Sequence, residues 1–216
     1  MKTRILLIGL LLVATFAQST AVVGAVEKAY YSSYELEKQQ RYDAAIKALA
    51  PVFKEYPKGY TVNYRSGWLA YRAGHYAEAR KYLQMALIQF PSSIEVHKQL
   101  ILLEVARKEW KSVEKEARIG RGIDYYNLDF TYWQMVALRK IGNSSSATKL
   151  AEEMSALYPT NVNILMELVY NAQVAKQSDK ALGYLSSVLI LDPYNPIATD
   201  IMRGYVQSQQ TTKKSN

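Results

Sequence analysis

Residues Tyr60–Ser93 read YTVNYRSGWLAYRAGHYAEARKYLQMALIQFPSS, and this stretch holds two helical patterns separated by a break. In its second half Tyr76, Ala79, Leu83, Ala86 and Leu87 recur at three- and four-residue steps, the period of one helix face. Gly74 precedes that pattern and suits the end of a first helix. Pro91 follows it and stops the second, because proline inside a helix costs about 3 kcal/mol. The segment is therefore a helix–turn–helix unit of 34 residues.

The unit recurs. Pro57, Pro91, Pro159 and Pro193 are separated by 34, 68 and 34 residues, and the missing member falls on Tyr125. With the proline as position 32, repeats begin at Val26, Tyr60, Ile94, Leu128 and Val162. Position 20 then reads Ala45, Ala79, Val113, Ala147 and Ala181, and position 8 reads Ser33, Gly67, Ile101, Met135 and Val169. Position 24 reads Leu49, Leu83, Ala117, Ala151 and Leu185, and position 27 reads Val52, Ala86, Gly120, Met154 and Val188. Small residues recur where two helix backbones must approach, and larger apolar ones where the next layer is filled.

These columns resemble the tetratricopeptide repeat, across roughly residues 26–195. The resemblance implies an all-α, right-handed solenoid of about five helix-turn-helix repeats. A C-terminal capping helix over 196–207 follows, with Ile197, Ile201 and Tyr205 on one face, and then a polar, disordered tail over 208–216. Two departures stand out. The aromatic of position 4 is replaced by Ala29, Asn63, His97, Thr131 and Leu165. The third repeat carries Glu104 at position 11, Gly120-Arg121-Gly122 near its end and Tyr125 in the proline slot, which predicts a bend or loosened turn at 119–127.

Residues 1–25 are of another kind. Lys2 and Arg4 precede an apolar run from Ile5 to Phe16, and small residues at Val23-Gly24-Ala25 offer a peptidase site. This is the layout of a secretory signal peptide cleaved after Ala25, with export to the periplasm or cell envelope. The same residues also fit an uncleaved membrane anchor with the repeats outside the cytoplasm, since Ile5–Val26 carries no charge. The chain's net charge is +8, of which Lys2 and Arg4 supply two. Export argues against nucleic acid as the target of that charge.

Catalytic signatures are missing. There is no cysteine, so disulfides and thiolate chemistry are excluded, and the two histidines, His75 and His97, have no metal-ligand spacing around them. His75 reads as a turn residue and His97 as a packing residue. No nucleophile elbow, zinc-protease motif or phosphate loop occurs, so neither an enzyme nor a cofactor is expected. Asn143-Ser144-Ser145 matches a glycosylation triplet, a pattern frequent by chance.

The resemblance also implies that the first helices of successive repeats line a concave groove. The positions that face it hold Tyr30, Tyr34, Tyr64, Arg65, Trp68, Tyr71, Arg72, Lys98, Tyr132, Trp133, Arg139 and Tyr170. Such an aromatic and basic groove suits a protein partner, a peptide or helix with apolar and acidic side chains. The family's clamp for a chaperone's terminal carboxylate does not carry over, because Tyr30 and Tyr34 stand where it needs Lys and Asn. The expected function is thus a non-catalytic interaction scaffold. A cell-wall glycan-binding module and a self-assembling scaffold are the alternatives. Intact-mass measurement of the protein purified from the envelope tests the export reading: a chain beginning at Val26 is expected, and a full-length N-terminus identifies the anchor.

Overall fold

The computed structural model describes the backbone of residues 22–214 and the side chains of residues 22–208. The run from Lys2 to Phe16 that carries the signal-peptide reading lies outside these. Residues 22–25 form the start of the first described helix and bury no side chain, so the core begins at Val26 and Ala29.

Among the described residues every regular element is helical. In chain order they are α1 (22–38), α2 (Tyr42–Ala48), α3 (Ala50–Glu55), α4 (Tyr60–Arg72), α5 (Tyr76–Gln89), α6 (Ile94–Ala106), α7 (Trp110–Ile123), α8 (Leu128–Lys140), α9 (Ser144–Leu157), α10 (Val162–Val174), α11 (Ser178–Leu191) and α12 (Pro196–Lys214). From α4 onward the first helix of each pair starts at residue 60, 94, 128, 162 or 196, so the 34-residue period holds to the residue. The first repeat alone has a divided second helix. Pro51 has no N–H for the carbonyl of Lys47, and the Leu49 N–H bonds Ile46 at 3.0 Å instead, separating α2 from α3.

The turns repeat as strictly. Position 15 takes left-handed backbone in every repeat: Gln40 (φ 59°), Gly74 (81°), Lys108 (59°), Gly142 (85°) and Lys176 (57°). The next residue's N–H then reaches back five residues, as in Arg41 to Leu36, His75 to Ala70 and Gln177 to Ala172, all at 2.8–2.9 Å. This closes each first helix with a Schellman-type turn. Position 34 supplies the cap of the following first helix. Ser93 accepts from the Val96 N–H, Asn127 from Asp129, Asn161 from Ile164 and Asn195 from Ala198, at 3.0–3.3 Å. Asn143 of the glycosylation triplet has the same task, accepting from the Ser146 N–H at the start of α9.

All four sequence columns are buried in all five repeats. The departure at position 4 also has a physical role. Asn63 donates to the Pro57 carbonyl at 3.2 Å, and His97 places Nε2 3.1 Å from the Pro91 carbonyl. A polar side chain here ties down the proline turn six residues back.

The bend expected at 119–127 is absent. α7 runs unbroken through Gly120-Arg121-Gly122 and ends at the same repeat position as α5, α9 and α11. Gly120 is there for space, since a Cβ on it would lie 2.3 Å from the ring of the fully buried Phe130. The terminal cap differs in two ways. Its buried face is Ala198, Ile201, Met202 and Tyr205, while Ile197 is half exposed. It also continues to Lys214, because nothing from Val206 onward breaks a helix, so the tail placed after 207 is helical to that point.

The chain divides into two compact units, the first ending at Leu103 and the second beginning at Glu104. The core of unit 1 is a cluster of Ala45, Leu49, Val62 and Leu69 followed by one of Ala79, Leu83, Val96 and Leu103. Unit 2 has one cluster running from Met135 through Leu150 and Leu168 to Ala198.

Two pairs of substitutions test this account. Gly120→Ala must displace Phe130 and should cost roughly 1–3 kcal/mol or more. Gly122→Ala meets open space in the same helix and should stabilise by about 0.5–1 kcal/mol. Likewise Lys176→Gly removes a left-handed non-glycine and should raise stability by about 1 kcal/mol, whereas Gly74→Ala should lower it by a similar amount. Chemical denaturation of the four variants provides the check.

Candidate functional site on the first-helix faces

In unit 1 the positions expected to face a partner lie on α1, α4 and α6. Tyr64, Trp68, Tyr71 and Arg72 share one face of α4, because they step by three or four residues. The rings form a chain of contacts. Tyr60 stacks on Tyr64 with centroids 5.7 Å apart, and Trp68 lies 5.8 Å from Tyr71. Tyr34 is exposed and covers the Arg65 guanidinium at 3.4 Å from ring centroid to Cζ. Tyr34, Glu37, Thr61, Tyr64, Arg65, Trp68 and Gln99 enclose a groove of about 500 Å³. Burial raises the phenol pKa of Tyr30 and of Tyr64, so both remain neutral donors well above neutral pH.

The basic character expected of this face is largely turned inward. Arg65 is buried, with Nε donating to Ser33 Oγ at 3.0 Å and Nη1 to Glu37 Oε2 at 3.0 Å. Trp68 Nε1 donates to the other Glu37 oxygen at 2.7 Å. One carboxylate on α1 therefore holds both α4 side chains, and Arg65 offers no exposed cation. Arg72 is exposed, but its guanidinium sits 5.3 Å from the Trp68 ring and bonds the Tyr42 hydroxyl. Lys98 is half buried on α6.

Unit 2 carries a second patch on α8 and α10. Arg139 makes a bidentate bridge to Glu167, Nε to Oε2 at 2.9 Å and Nη2 to Oε1 at 3.0 Å, with the glutamate side chain 2% exposed. The bridge to Glu167 raises the Arg139 pKa. Tyr170 stands 4.8 Å from the same guanidinium, and Tyr132 packs edge-on to Trp133 at 5.2 Å. Burial raises the pKa of Tyr132 and Tyr170 as well. Like Arg65, Arg139 is committed within the fold.

Glu37 and Glu167 are the functional-face residues that the sequence reading missed. The signal was present. Glu37 occupies position 12 and Arg65 position 6 of the next repeat. Arg139 occupies position 12 and Glu167 position 6, so the same 28-residue contact appears twice with its charges exchanged. Breaking a buried pair from one side leaves an uncompensated charge, a cost of about 3–5 kcal/mol. The two histidines lie apart from these patches: His75 meets Asp43 at 2.9 Å on the surface, and His97 holds the proline turn.

The family model described as "Tetratricopeptide repeat" matches residues 33–94. No curated protein matches the chain in sequence. Solved structures do match in fold. A tetratricopeptide repeat protein from Parabacteroides merdae superposes with a TM-score of 0.75 at 13% identity, over 82% of this chain and 70% of that one. YrrB, described as a TPR protein with an unusual peptide-binding site, gives 0.70 at 14% identity, over 85% and 98%. MamA gives 0.69 at 15% identity, over 78% and 92%. The family model thus covers two repeats, and the tetratricopeptide repeat solenoid fold of these structures extends over most of the chain.

Proposed function

We propose that this chain is a non-catalytic scaffold of the cell envelope that holds a peptide or helix of a partner protein against the first-helix face of unit 1. The observation that carries the proposal is the groove beside α4. Aromatic rings are gathered there around a polar floor, and Tyr34, large and apolar-bodied, is half exposed among the described residues. Rigid rings of this kind give large contact area at little entropy cost, and Tyr, Trp and Arg dominate binding hot spots. The peptide-binding description of YrrB, which shares the fold, supports the same class of ligand.

The internal pairing of Arg65 revises the partner's chemistry. The groove is closer to neutral than its composition implies, and Arg72 is the exposed cation beside it. Apolar or aromatic anchor residues therefore matter more than a run of carboxylates. Export by residues 1–25 is part of the proposal and rests on their sequence pattern alone.

The test uses exposed side chains outside the packed core. Trp68→Ala is unsuitable, because Trp68 also bonds Glu37 and packs on the unit 1 core. Tyr34→Ala and Arg72→Glu alter exposed groups outside the packed core and should lower the melting temperature only modestly, since each loses one contact, with Arg65 or with Tyr42. If the groove is the docking surface, each should weaken capture of partners from envelope extracts, by about thirtyfold for a central aromatic. Unchanged capture by both folded variants would place the binding surface elsewhere.

A further inference from the structure

Unit 2 contains a second cavity, away from the first-helix patch, where α9, α10 and α11 meet. It measures about 440 Å³, within the usual range of small-molecule sites. Asn171 of α10 lines it and is 1% exposed. Its Nδ2 donates to the Glu167 carbonyl at 2.8 Å, which engages one end of the amide. The Oδ1 at the other end is buried and has no hydrogen-bond partner. Buried acceptors are normally satisfied, and one left open is costly.

Repeats two to four show the contrast. Asn171 stands at position 10, which is filled by Leu69, Leu103 and Ala137 in repeats two to four, each apolar and 0% exposed. The fifth repeat gives up that packing for an amide. Around it the cavity wall carries Thr148, Lys149, Glu152, Gln177, Lys180 and Tyr184. No ion pair engages Lys149, Glu152 or Lys180 within the described residues, so their charges remain available to a ligand.

We infer that this cavity is a saccharide-binding site, with Asn171 Oδ1 accepting from a hydroxyl or amide N–H of the sugar. The wall offers donors from two ammonium groups and a hydroxyl, acceptors from a carboxylate and an amide, and one aromatic ring. A pyranose presents the matching set: many neutral donors and acceptors around a C–H face that packs on a ring. Charges of both signs disfavour a simple anion. The scarcity of apolar side chains other than Leu168 and the alanines disfavours a peptide anchor. The site is separate from the unit 1 groove and does not depend on what that groove binds.

Isothermal titration of the full chain with chitotetraose, maltotetraose and sodium phosphate tests the inference. Saturable binding of at least one tetrasaccharide and none of phosphate is expected. Asn171→Leu restores the residue of repeats two and three, so it should keep or raise the melting temperature while weakening the sugar about tenfold or more. Glu152→Gln and Lys180→Met change exposed groups, should fold normally, and should each weaken it several-fold; they decide the matter if Asn171→Leu folds poorly. Absence of tetrasaccharide binding, binding of phosphate alone, or unchanged affinity in the folded variants overturns the site.

Discussion

In repeats one, two, four and five the first helix meets its second helix through a small side chain, and the rest of each of these repeats depends on that closeness. Ala45, Ala79, Ala147 and Ala181 have no exposed surface at position 20, and at Gly67 even a Cβ would lie 2.7 Å from the Leu83 side chain. Backbones this close leave no slack for a change of helix length, because one added residue rotates every later side chain by about 100°. The turns are held to the same standard. The left-handed residue at position 15 is kept even where the chain supplies Gln40, Lys108 or Lys176 instead of glycine. A strained turn costs about 1 kcal/mol, whereas a lost crossing costs the packing of a whole layer.

Within that frame the third repeat shows how a fixed period absorbs variation. Its position 27 is Gly120, two sizes smaller than Met154 or Val188, and the space is taken by the Phe130 ring from the following helix. Tyr125 replaces proline and its hydroxyl donates to Glu153, which also lies 3.6 Å from Arg121. Arg121 in turn donates to Gln134, and Gln134 to Glu114. A polar network thus replaces the stiffening that proline supplies elsewhere. The helix geometry is unchanged because the glycines sit inside a helix whose Gly120 face is filled by Phe130.

The first-helix faces follow a different logic, in which charge is used between repeats instead of at the surface. Glu37 with Arg65, and Arg139 with Glu167, link successive first helices at the same positions with opposite polarity. Each arginine lies under or beside a tyrosine, Tyr34 in one case and Tyr170 in the other. What reaches solvent is therefore aromatic and nearly neutral. Ion pairs of this kind contribute little net stability, since desolvation offsets attraction, but they penalise any misregister between neighbouring helices.

The period, the helix pairs and the buried columns are legible in the chain alone. Those properties are local or repeat every 34 residues, so a single chain displays each of them several times. The sequence also placed the aromatic side chains on one helix face, since three- and four-residue steps suffice for that. Which charges are neutralised emerges only when the helices pack. Arg65 and Arg139 look like surface cations until Glu37 and Glu167, each 28 residues away, are brought within 3.0 Å. Packing likewise decided that Gly120 clears room for Phe130 instead of bending the helix, and that Asn171 keeps an unmatched oxygen beside a cavity. The physical reason is common to all three. A helix period fixes which face a side chain lies on, but charge neutralisation, free volume and hydrogen-bond satisfaction depend on what the neighbouring helix brings to that face.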